Sequence, residues 1–366
     1  MTHAQLTAPQ DLTDEVMSVF TDTHGTAPTR VARAAGRVNL IGEHVDYLGG
    51  TCLPITIPYA TWVAATLRED DVVRLTSAGH EPWTGRRGDL VSGGVEGWAR
   101  YVLAALNEST HDGGVDLHVT STVPVGAGLS SSAALICAVL RAVDDRSDHD
   151  LVAPAIRAET DGVGVPSGGM DQTVSLLATV GQALRLNFST GRHVQVPWLP
   201  GTAGLQVLVV DTGVQHANDD GAFARVRSRS EEAMAAKDPT ALPSDLAAAH
   251  RHVTSEIARV DEFVDAVVSG DWRGVGAVMT ASHGSLRDDL GVSCPELDVV
   301  VETALASGAL GARMTGGGFG GCAIALVPRE LTETLIAAVA DAFAERGWNT
   351  PRFLIGDAEG PATRLL

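Results

Sequence analysis

Two kinds of hydrophobic pattern alternate along this chain of 366 residues. Short apolar runs predict strands at residues 59–67, 72–75, 117–122, 206–210 and 323–327. Longer alanine-rich runs predict helices at residues 98–107, 129–143, 246–269 and 331–346. Because both element types occur in both halves of the chain, the pattern predicts an α+β fold.

A stretch with two prolines and a glycine, at residues 197–201, follows the first half of this alternation. We predict two domains, residues 1–186 and 187–366, with the active site in the cleft between them. The length of the chain and its 45% content of hydrophobic residues are sufficient for two full-sized cores.

The segment at residues 36–47, GRVNLIGEHVDY, carries one cation, two carboxylates and an imidazole around two glycines. Its apolar residues predict a short strand that ends near Gly42, after which a curled loop presents the polar side chains. Glu43, His44 and Asp46 are therefore candidate ligands for sugar hydroxyl groups, with Arg37 beside them. A solvated surface loop is the alternative that this segment alone leaves open.

A second segment, residues 123–134, VPVGAGLSSSAA, places glycines and serines directly before a predicted helix. The free N–H groups and the dipole of a helix N-terminus bind phosphate, although such residues also cap ordinary helices. The segment matches neither a Walker loop nor a Rossmann fingerprint. Since Lys237 is the only lysine in the chain, nucleotide phosphates would have to be neutralised by backbone N–H groups, a metal ion and arginine.

A third segment, residues 314–322, MTGGGFGGC, has five glycines in six positions and precedes a predicted strand. Glycines are costly in chain entropy, so a purely structural turn rarely uses so many. Close approach of the backbone to a ligand is the better explanation of this pattern.

These three segments, in this order and at these separations, resemble the three motifs of the GHMP small-molecule kinases, and the first resembles the galactokinase signature. Residues 158–172 and 211–216 are similar to further blocks of the same family. The resemblance implies a ribosomal S5 domain 2-like first domain and a ferredoxin-like second domain. It also implies transfer of phosphate from ATP to the anomeric hydroxyl of galactose, with Mg²⁺ as cofactor.

The resemblance also implies a role for each motif residue. Asp171 would accept the proton of the sugar hydroxyl, and Arg37 would stabilise the developing negative charge. The sugar ligands would be Glu43, His44, Asp46 and Gly168, and the metal ligands would be Ser132 and Glu159. The nucleotide would be bound by Gly126, Ala127, Gly128, Leu129, Ser130, Ser131 and Ser132.

Four of these residues have simpler explanations that the sequence leaves open. Asp171 stands near a predicted helix start, where an aspartate is often only a cap. Arg37 could form a structural ion pair, and Glu159 could be an exposed acid on a helix. His44 could satisfy a backbone carbonyl in a tight loop rather than contact a sugar.

The chain departs from the galactokinase pattern at three positions. Val45 and Leu48 stand where the signature usually has threonine and asparagine, and Phe223 stands where the family has a tyrosine that contacts the sugar. Loss of a phenol hydroxyl removes a hydrogen bond worth about 0.5–1.5 kcal/mol. Two alternatives to galactose phosphorylation therefore remain, a kinase for arabinose or N-acetylgalactosamine and a non-catalytic galactose sensor.

Composition excludes other classes of function. A net charge of -19 argues against nucleic acid as a partner, because phosphate backbones need a basic face. The four cysteines show no metal-binding spacing, which is typical of reduced thiols in the cytoplasm. The sequence shows no signal peptide and no apolar run long enough to span a membrane. We expect a cytoplasmic monomer whose partners are the sugar and ATP.

Overall fold

The computed structural model of the chain describes residue 6 and residues 8–90, 94–214 and 220–366. Gln215 and His216, the last two residues of one family-like block, lie outside this part. Its strands, numbered in chain order, are β1 (Arg30–Asn39), β2 (Thr51–Cys52), β3 (Pro54–Leu67), β4 (Val72–Ser77), β5 (His80–Arg86), β6 (Val115–Ser121), β7 (Gln182–Asn187), β8 (Arg192–Pro197), β9 (Leu205–Asp211), β10 (Gly311–Thr315), β11 (Cys322–Pro328), β12 (Arg352–Ile355) and β13 (Thr363–Arg364).

The α-helices alternate with these strands and are numbered in the same way. They are α1 (Thr13–His24), α2 (Trp98–Glu108), α3 (Ser131–Val143), α4 (Asp148–Arg157), α5 (Met170–Leu177), α6 (Asp220–Ala235), α7 (Ser244–Ser269), α8 (Trp272–Ser285), α9 (Pro295–Ala306) and α10 (Thr332–Glu345). Two π-helical turns, Ala158–Val163 and Leu286–Leu290, continue α4 and α8. No helix in the described ranges is long and apolar enough to cross a membrane.

The strands form three sheets. The first has the order β13-β1-β3-β6-β4-β5, the second β10-β11-β9-β12, and the third β2-β7-β8. In the first sheet the strands are antiparallel except where β4 pairs with β6. Strand β13 pairs with β1, so the end of the chain returns to the sheet of the first half.

Both larger sheets are buried on two faces. On β3, Val63 and Ala65 pack towards α2 and α3, whereas Trp62 and Ala64 pack against α1. This alternation follows from the period of two in a strand. A further core joins residues of both halves, from Val38 on β1 to the inner faces of α7, α8 and β11.

The predicted elements are confirmed with small differences at their ends. The helix expected from residue 129 begins at Ser131, because Ser130 has a left-handed backbone with φ 62°. The strand expected at 59–67 extends back to Pro54 and pairs with β1. The α+β class is confirmed, while the division at residue 187 stays a prediction.

Candidate active site

A bulge in β1 brings Arg37 to the cleft. The register between β1 and β3 shifts between Ala35 and Arg37, at Gly36. A side chain at Gly36 would meet the carbonyl of Leu129 at 2.7 Å, so only glycine allows this approach. The Arg37 N–H donates to the same carbonyl at 3.1 Å. The first and second motifs are thus joined through their backbones.

Arg37 and Asp171 form a two-point ion pair. The Nε and Nη2 atoms of Arg37 donate to Oδ1 and Oδ2 of Asp171, each at 2.7 Å. Burial acts to lower the pKa of Arg37, but the adjacent Asp171 carboxylate outweighs it and raises that pKa. The Asp171 side chain is 24% exposed, against 8% for Arg37. The carboxylate is therefore held firmly but stays accessible from the cleft.

Asp171 is the second residue of α5, as expected for a residue near a helix start. A simple cap is excluded as its whole function, because its carboxylate is bound by a side chain of β1 and by one of the serine loop, residues 126–132 of the second motif. The Ser130 hydroxyl donates to Asp171 Oδ2 at 2.5 Å. Two separate motifs thus converge on this one carboxylate.

The serine loop leads into the N-terminus of α3. Ser131 and Ser132 are the first two residues of α3, and both line the cleft. The side chains of Ala127 and Leu129 instead pack in the shared core. These two residues can therefore face a phosphate only through their backbone, as the glycines beside them do.

The Glu43 carboxylate bridges the first and third motifs. Its Oε1 atom accepts from the Gly316 N–H at 2.7 Å and from the Thr315 hydroxyl at 3.2 Å. The Asn39 amide donates to its Oε2 atom. Burial raises the pKa of Glu43 to about 7, against the opposing charge of Arg313. Glu43 lines the cleft but already has several donors within the protein.

His44 is also hydrogen-bonded within the protein. Its Nε2 lies 3.1 Å from the Gly317 carbonyl and its Nδ1 lies 3.1 Å from the Tyr47 hydroxyl. Because a carbonyl only accepts, Nε2 donates and Nδ1 accepts, which fits a neutral ring. Burial lowers the pKa of His44 to about 4. The structure thus contains the backbone-carbonyl contact that the sequence left open.

An aromatic wall closes one side of the cleft, formed by Tyr47, Phe223 and the ring of His44. The Phe223 ring lies 5.4 Å from His44 and 6.3 Å from Tyr47, between ring centres. Phe223 comes from α6, in the second half of the chain. Tyr47 was given no role by the sequence, although it belongs to the first motif.

Asp46 and Gly168 are in close contact. A Cβ atom at Gly168 would lie 1.8 Å from Oδ2 of Asp46, so any side chain there would displace the carboxylate. Burial raises the pKa of Asp46 above its usual value, and the charge of Asp171 acts in the same direction. Asp46 and Asp171 therefore face the same cavity.

Glu159 is buried rather than exposed, which excludes its reading as a solvated helix acid. Burial raises the pKa of the Glu159 carboxyl to about 7. The Gln172 amide donates to its carboxylate. Ser132, at the start of α3, and Glu159 both line the cleft. Within the described part of the chain, no group of three or more His, Cys, Asp or Glu could hold a metal.

A buried polar network behind the first motif was missed by the sequence analysis. Oε1 of Glu256 accepts from the N–H groups of Gly42 at 2.9 Å and Glu43 at 3.3 Å. Nε2 of His252 lies 3.1 Å from the Glu43 carbonyl. Arg313 lies between the two glutamates, with its nitrogens 3.7 Å from Oε1 of each. The second half of the chain thus holds the backbone of the first motif.

The sequence does contain a signal for part of this network. The buried residues of α7 follow a helical repeat that includes Glu256 and His252 among apolar side chains. A glutamate on the apolar face of a helix is rarely buried without a partner. The position could therefore have been predicted to be paired, but the partner could not.

The cavity of about 420 Å³ brings the motifs together. Every predicted site residue lines it except Ala127 and Leu129. The third motif contributes Gly316 and Gly317. Since residues 37–171 and residues 223–317 both contribute, the cavity lies between the two halves of the chain, as expected.

Comparison with known families agrees with this geometry. Residues 18–67 match the galactokinase galactose-binding signature. Residues 95–179 match the GHMP kinases N terminal domain, and residues 263–345 match the GHMP kinases C terminal domain.

Similar proteins cover nearly the whole chain. A galactokinase of Streptomyces coelicolor is 42% identical, over 95% of this chain and 97% of its own length. A galactokinase of Chloroflexus aurantiacus is 37% identical, over 90% and 92%. The crystal structure of Lactococcus lactis galactokinase complexed with galactose superposes with a TM-score of 0.89 at 28% identity, covering 97% of this chain and 100% of that one. A mevalonate kinase structure, at 18% identity and a TM-score of 0.69, shares the fold.

Proposed function

Because the chain belongs to the galactokinase family of GHMP kinases, we propose a role for each residue of its cleft in the reaction of that family. The enzyme is a galactokinase. It transfers the terminal phosphoryl group of ATP to the anomeric hydroxyl of D-galactose, giving galactose 1-phosphate and ADP.

Asp171 accepts the proton of the anomeric hydroxyl in this proposal. The hydroxyl oxygen forms a bond to the terminal phosphorus, the bond from that phosphorus to the ADP oxygen breaks, and the proton goes to the Asp171 carboxylate. Arg37 stabilises the negative charge that develops on the transferred group. The observation that carries the proposal is the two-point pair of 2.7 Å contacts, which fixes an accessible carboxylate beside a guanidinium.

The sugar is held by the first motif and Gly168. Asp46 and Glu43 accept hydrogen bonds from its hydroxyl groups, and the backbone at Gly168 lies against the ring. His44 contributes mainly by fixing the loop, since both its ring nitrogens have partners in the protein. Phe223 provides an apolar surface beside His44 and Tyr47. Burial raises the pKa of Asp46, which lines the cleft.

The nucleotide phosphates bind at the N-terminus of α3, to backbone N–H groups of the serine loop. Ser132 and Glu159 both line the cleft and would supply a hydroxyl and a carboxylate oxygen to a Mg²⁺ ion beside these phosphates. Bound there, Mg²⁺ would neutralise phosphate charge. Few protein ligands are needed, since Mg²⁺ keeps several waters and binds the nucleotide directly.

The cellular setting is part of the proposal as well. All four cysteines are free thiols in the structure, which supports a reducing compartment such as the cytoplasm.

We expect the enzyme to act as a monomer. Light scattering coupled to gel filtration tests this, and a mass of twice 38.0 kDa would contradict it.

A second candidate, kinase activity on another sugar such as arabinose or N-acetylgalactosamine, is favoured by one observation. Phe223 lies in the wall of the cavity and presents no hydroxyl group there. Tyrosine at this position would favour a sugar that forms a hydrogen bond at this wall. With phenylalanine, a sugar that forms no such hydrogen bond is not at this disadvantage.

A coupled assay for ADP release over a panel of hexoses and pentoses tests both candidates. We expect galactose to have the highest kcat/KM. The Phe223→Tyr variant should improve galactose discrimination by up to about tenfold, the equivalent of one hydrogen bond. Turnover of another sugar but not galactose would reject the substrate assignment. No turnover at all, with a higher melting temperature in galactose, would identify a sensor.

A further inference from the structure

Ser130 differs from the two serines that follow it. The sequence groups all three as phosphate ligands, but the Ser130 hydroxyl is directed to Asp171, with Oγ 2.5 Å from Oδ2. Ser131 and Ser132 begin helix α3, whereas Ser130 precedes it. The hydroxyl of Ser130 therefore already has a charged partner, and that partner is on a different motif.

The backbone conformation of Ser130 indicates that a side chain is required at this position. Its φ is 62°, in the left-handed region, where a non-glycine residue costs about 1–2 kcal/mol. Among the described residues, the other non-glycine residues with positive φ are His44 and Phe319, one in each remaining motif. Glycine would remove this cost at position 130, yet the chain has serine there. Such strain persists where the side chain or its surroundings require it.

The hydrogen bonds to Asp171 are unequal on its two oxygens. Oδ2 accepts from both Arg37 Nη2 and Ser130 Oγ, whereas in the described part of the chain Oδ1 accepts from Arg37 Nε alone. A carboxylate oxygen has two lone pairs. Occupation of Oδ2 by two donors fixes the rotation of the carboxylate and leaves Oδ1 as the oxygen with capacity for a further proton donor.

We infer that Ser130 is a positioning residue for Asp171 and not a phosphate ligand. Its hydroxyl orients the carboxylate so that Oδ1 accepts the proton of the sugar hydroxyl. The inference rests on the proposed role of Asp171 as proton acceptor. It changes the assignment of one serine and leaves the backbone of the loop as the phosphate site.

Steady-state kinetics of Ser130→Ala and Ser130→Gly test the inference. Both variants lose the hydroxyl, but only glycine also relieves the left-handed backbone. We expect kcat to fall about ten- to hundredfold in both, the usual effect of losing a hydrogen bond to a charged group. The KM values for ATP and galactose should stay within about twofold of the parent, because neither substrate loses a ligand.

Other outcomes overturn the inference. A rise of about tenfold in the KM for ATP with an unchanged kcat would make Ser130 a nucleotide ligand. A large loss of kcat in Ser130→Ala that Ser130→Gly does not share would make the backbone, not the hydroxyl, the cause. Melting temperatures show whether each variant is folded. If Ser130→Ala is unfolded, the kinetics of Ser130→Gly alone test the inference.

The Asp171→Asn variant separates this inference from the proposal beneath it. If Asp171→Asn keeps most of its rate, the role of Asp171 fails and that of Ser130 fails with it. If Asp171→Asn loses activity while both Ser130 variants keep the parent kcat, only the inference about Ser130 fails.

Discussion

Two arginine–carboxylate clusters in this enzyme use the same residue types in opposite ways. In the cleft, Arg37 holds Asp171, whose side chain is 24% exposed. Behind the first motif, Arg313 lies between Glu43 and Glu256, with side-chain exposures of 0%, 2% and 0%. The first cluster faces a cavity that substrates can enter. In the second, Glu43 borders the same cavity, whereas Arg313 and Glu256 are enclosed in the protein.

The hydrogen-bond partners of Glu256 show what the buried cluster does. Glu256 accepts hydrogen bonds from the backbone of Gly42 and Glu43, from Ser282 at 2.7 Å and from Arg259 at 2.7 Å. All of these hydrogen bonds lie within the protein, and they fix the loop that carries the proposed sugar ligands. Buried ion pairs add little net stability against apolar replacements, but breaking one is costly. Arg313 and Glu256 therefore support the first motif, whereas Arg37 and Asp171 are the pair to which we assign the chemistry.

The largest expected effect on stability comes from breaking the support. Glu256→Ala leaves the buried Arg313 and the partly buried Arg259 without this carboxylate, and we expect the free energy of unfolding to fall by about 3–5 kcal/mol. Urea denaturation measures the change. Glu262→Ala, at an exposed position on the same helix, is the matched control and should lose less than about 0.5 kcal/mol. Equal losses of unfolding free energy in the two variants would show that the buried cluster does not support the fold.

The pH dependence of stability should show the same support. Burial opposes ionisation of Glu256, but the charges of Arg313, His252 and Arg259 outweigh it and lower its pKa from 4.5 to about 2. Below pH 4.5 the unfolded chain binds a proton at this carboxyl that the folded protein does not. Stability from Glu256 is therefore complete above that pH and is lost as the pH falls towards 2.

Urea unfolding of the parent and of Glu256→Gln between pH 6 and pH 3 checks this sign. The parent should lose more stability over that range than the variant, about 1–2 kcal/mol more. Glu43 acts with the opposite sign, because its raised pKa of about 7 removes stability as the pH rises towards neutrality. Parallel curves of stability against pH for parent and variant would show that the neighbouring charges do not lower the pKa of Glu256 in the folded state.

Much of the cleft could be predicted from sequence, but little of its support. Arg37, Asp171, Glu159 and the serine loop stand in short motifs whose residue types and spacing are local features. Arg313 and Glu43 are 270 positions apart, and no local period relates them. The bulge at Gly36 and the return of β13 to the first sheet likewise depend on pairing between distant segments.

A smaller effect is expected at the sugar side of the cleft. Gly168→Ala would place a methyl group against the Asp46 carboxylate, so Asp46 must move. We expect the KM for galactose to rise about tenfold, with a smaller change in kcat, because a binding contact is disturbed. Gly284→Ala is the control, since its Cβ meets nothing within 4 Å. An unchanged KM in Gly168→Ala would remove Asp46 from the sugar ligands.

We propose that Asp171 performs the chemistry through its accessible carboxylate. Turnover and galactose binding measured on Asp171→Asn test it most directly, with Asp161→Asn, at an exposed position, as control. We predict a loss of about a thousandfold or more in kcat for Asp171→Asn, the scale of general-base contributions, while calorimetry still detects galactose binding. Asp161→Asn should keep the parent rate. An Asp171→Asn enzyme that retains most of its turnover would contradict the account.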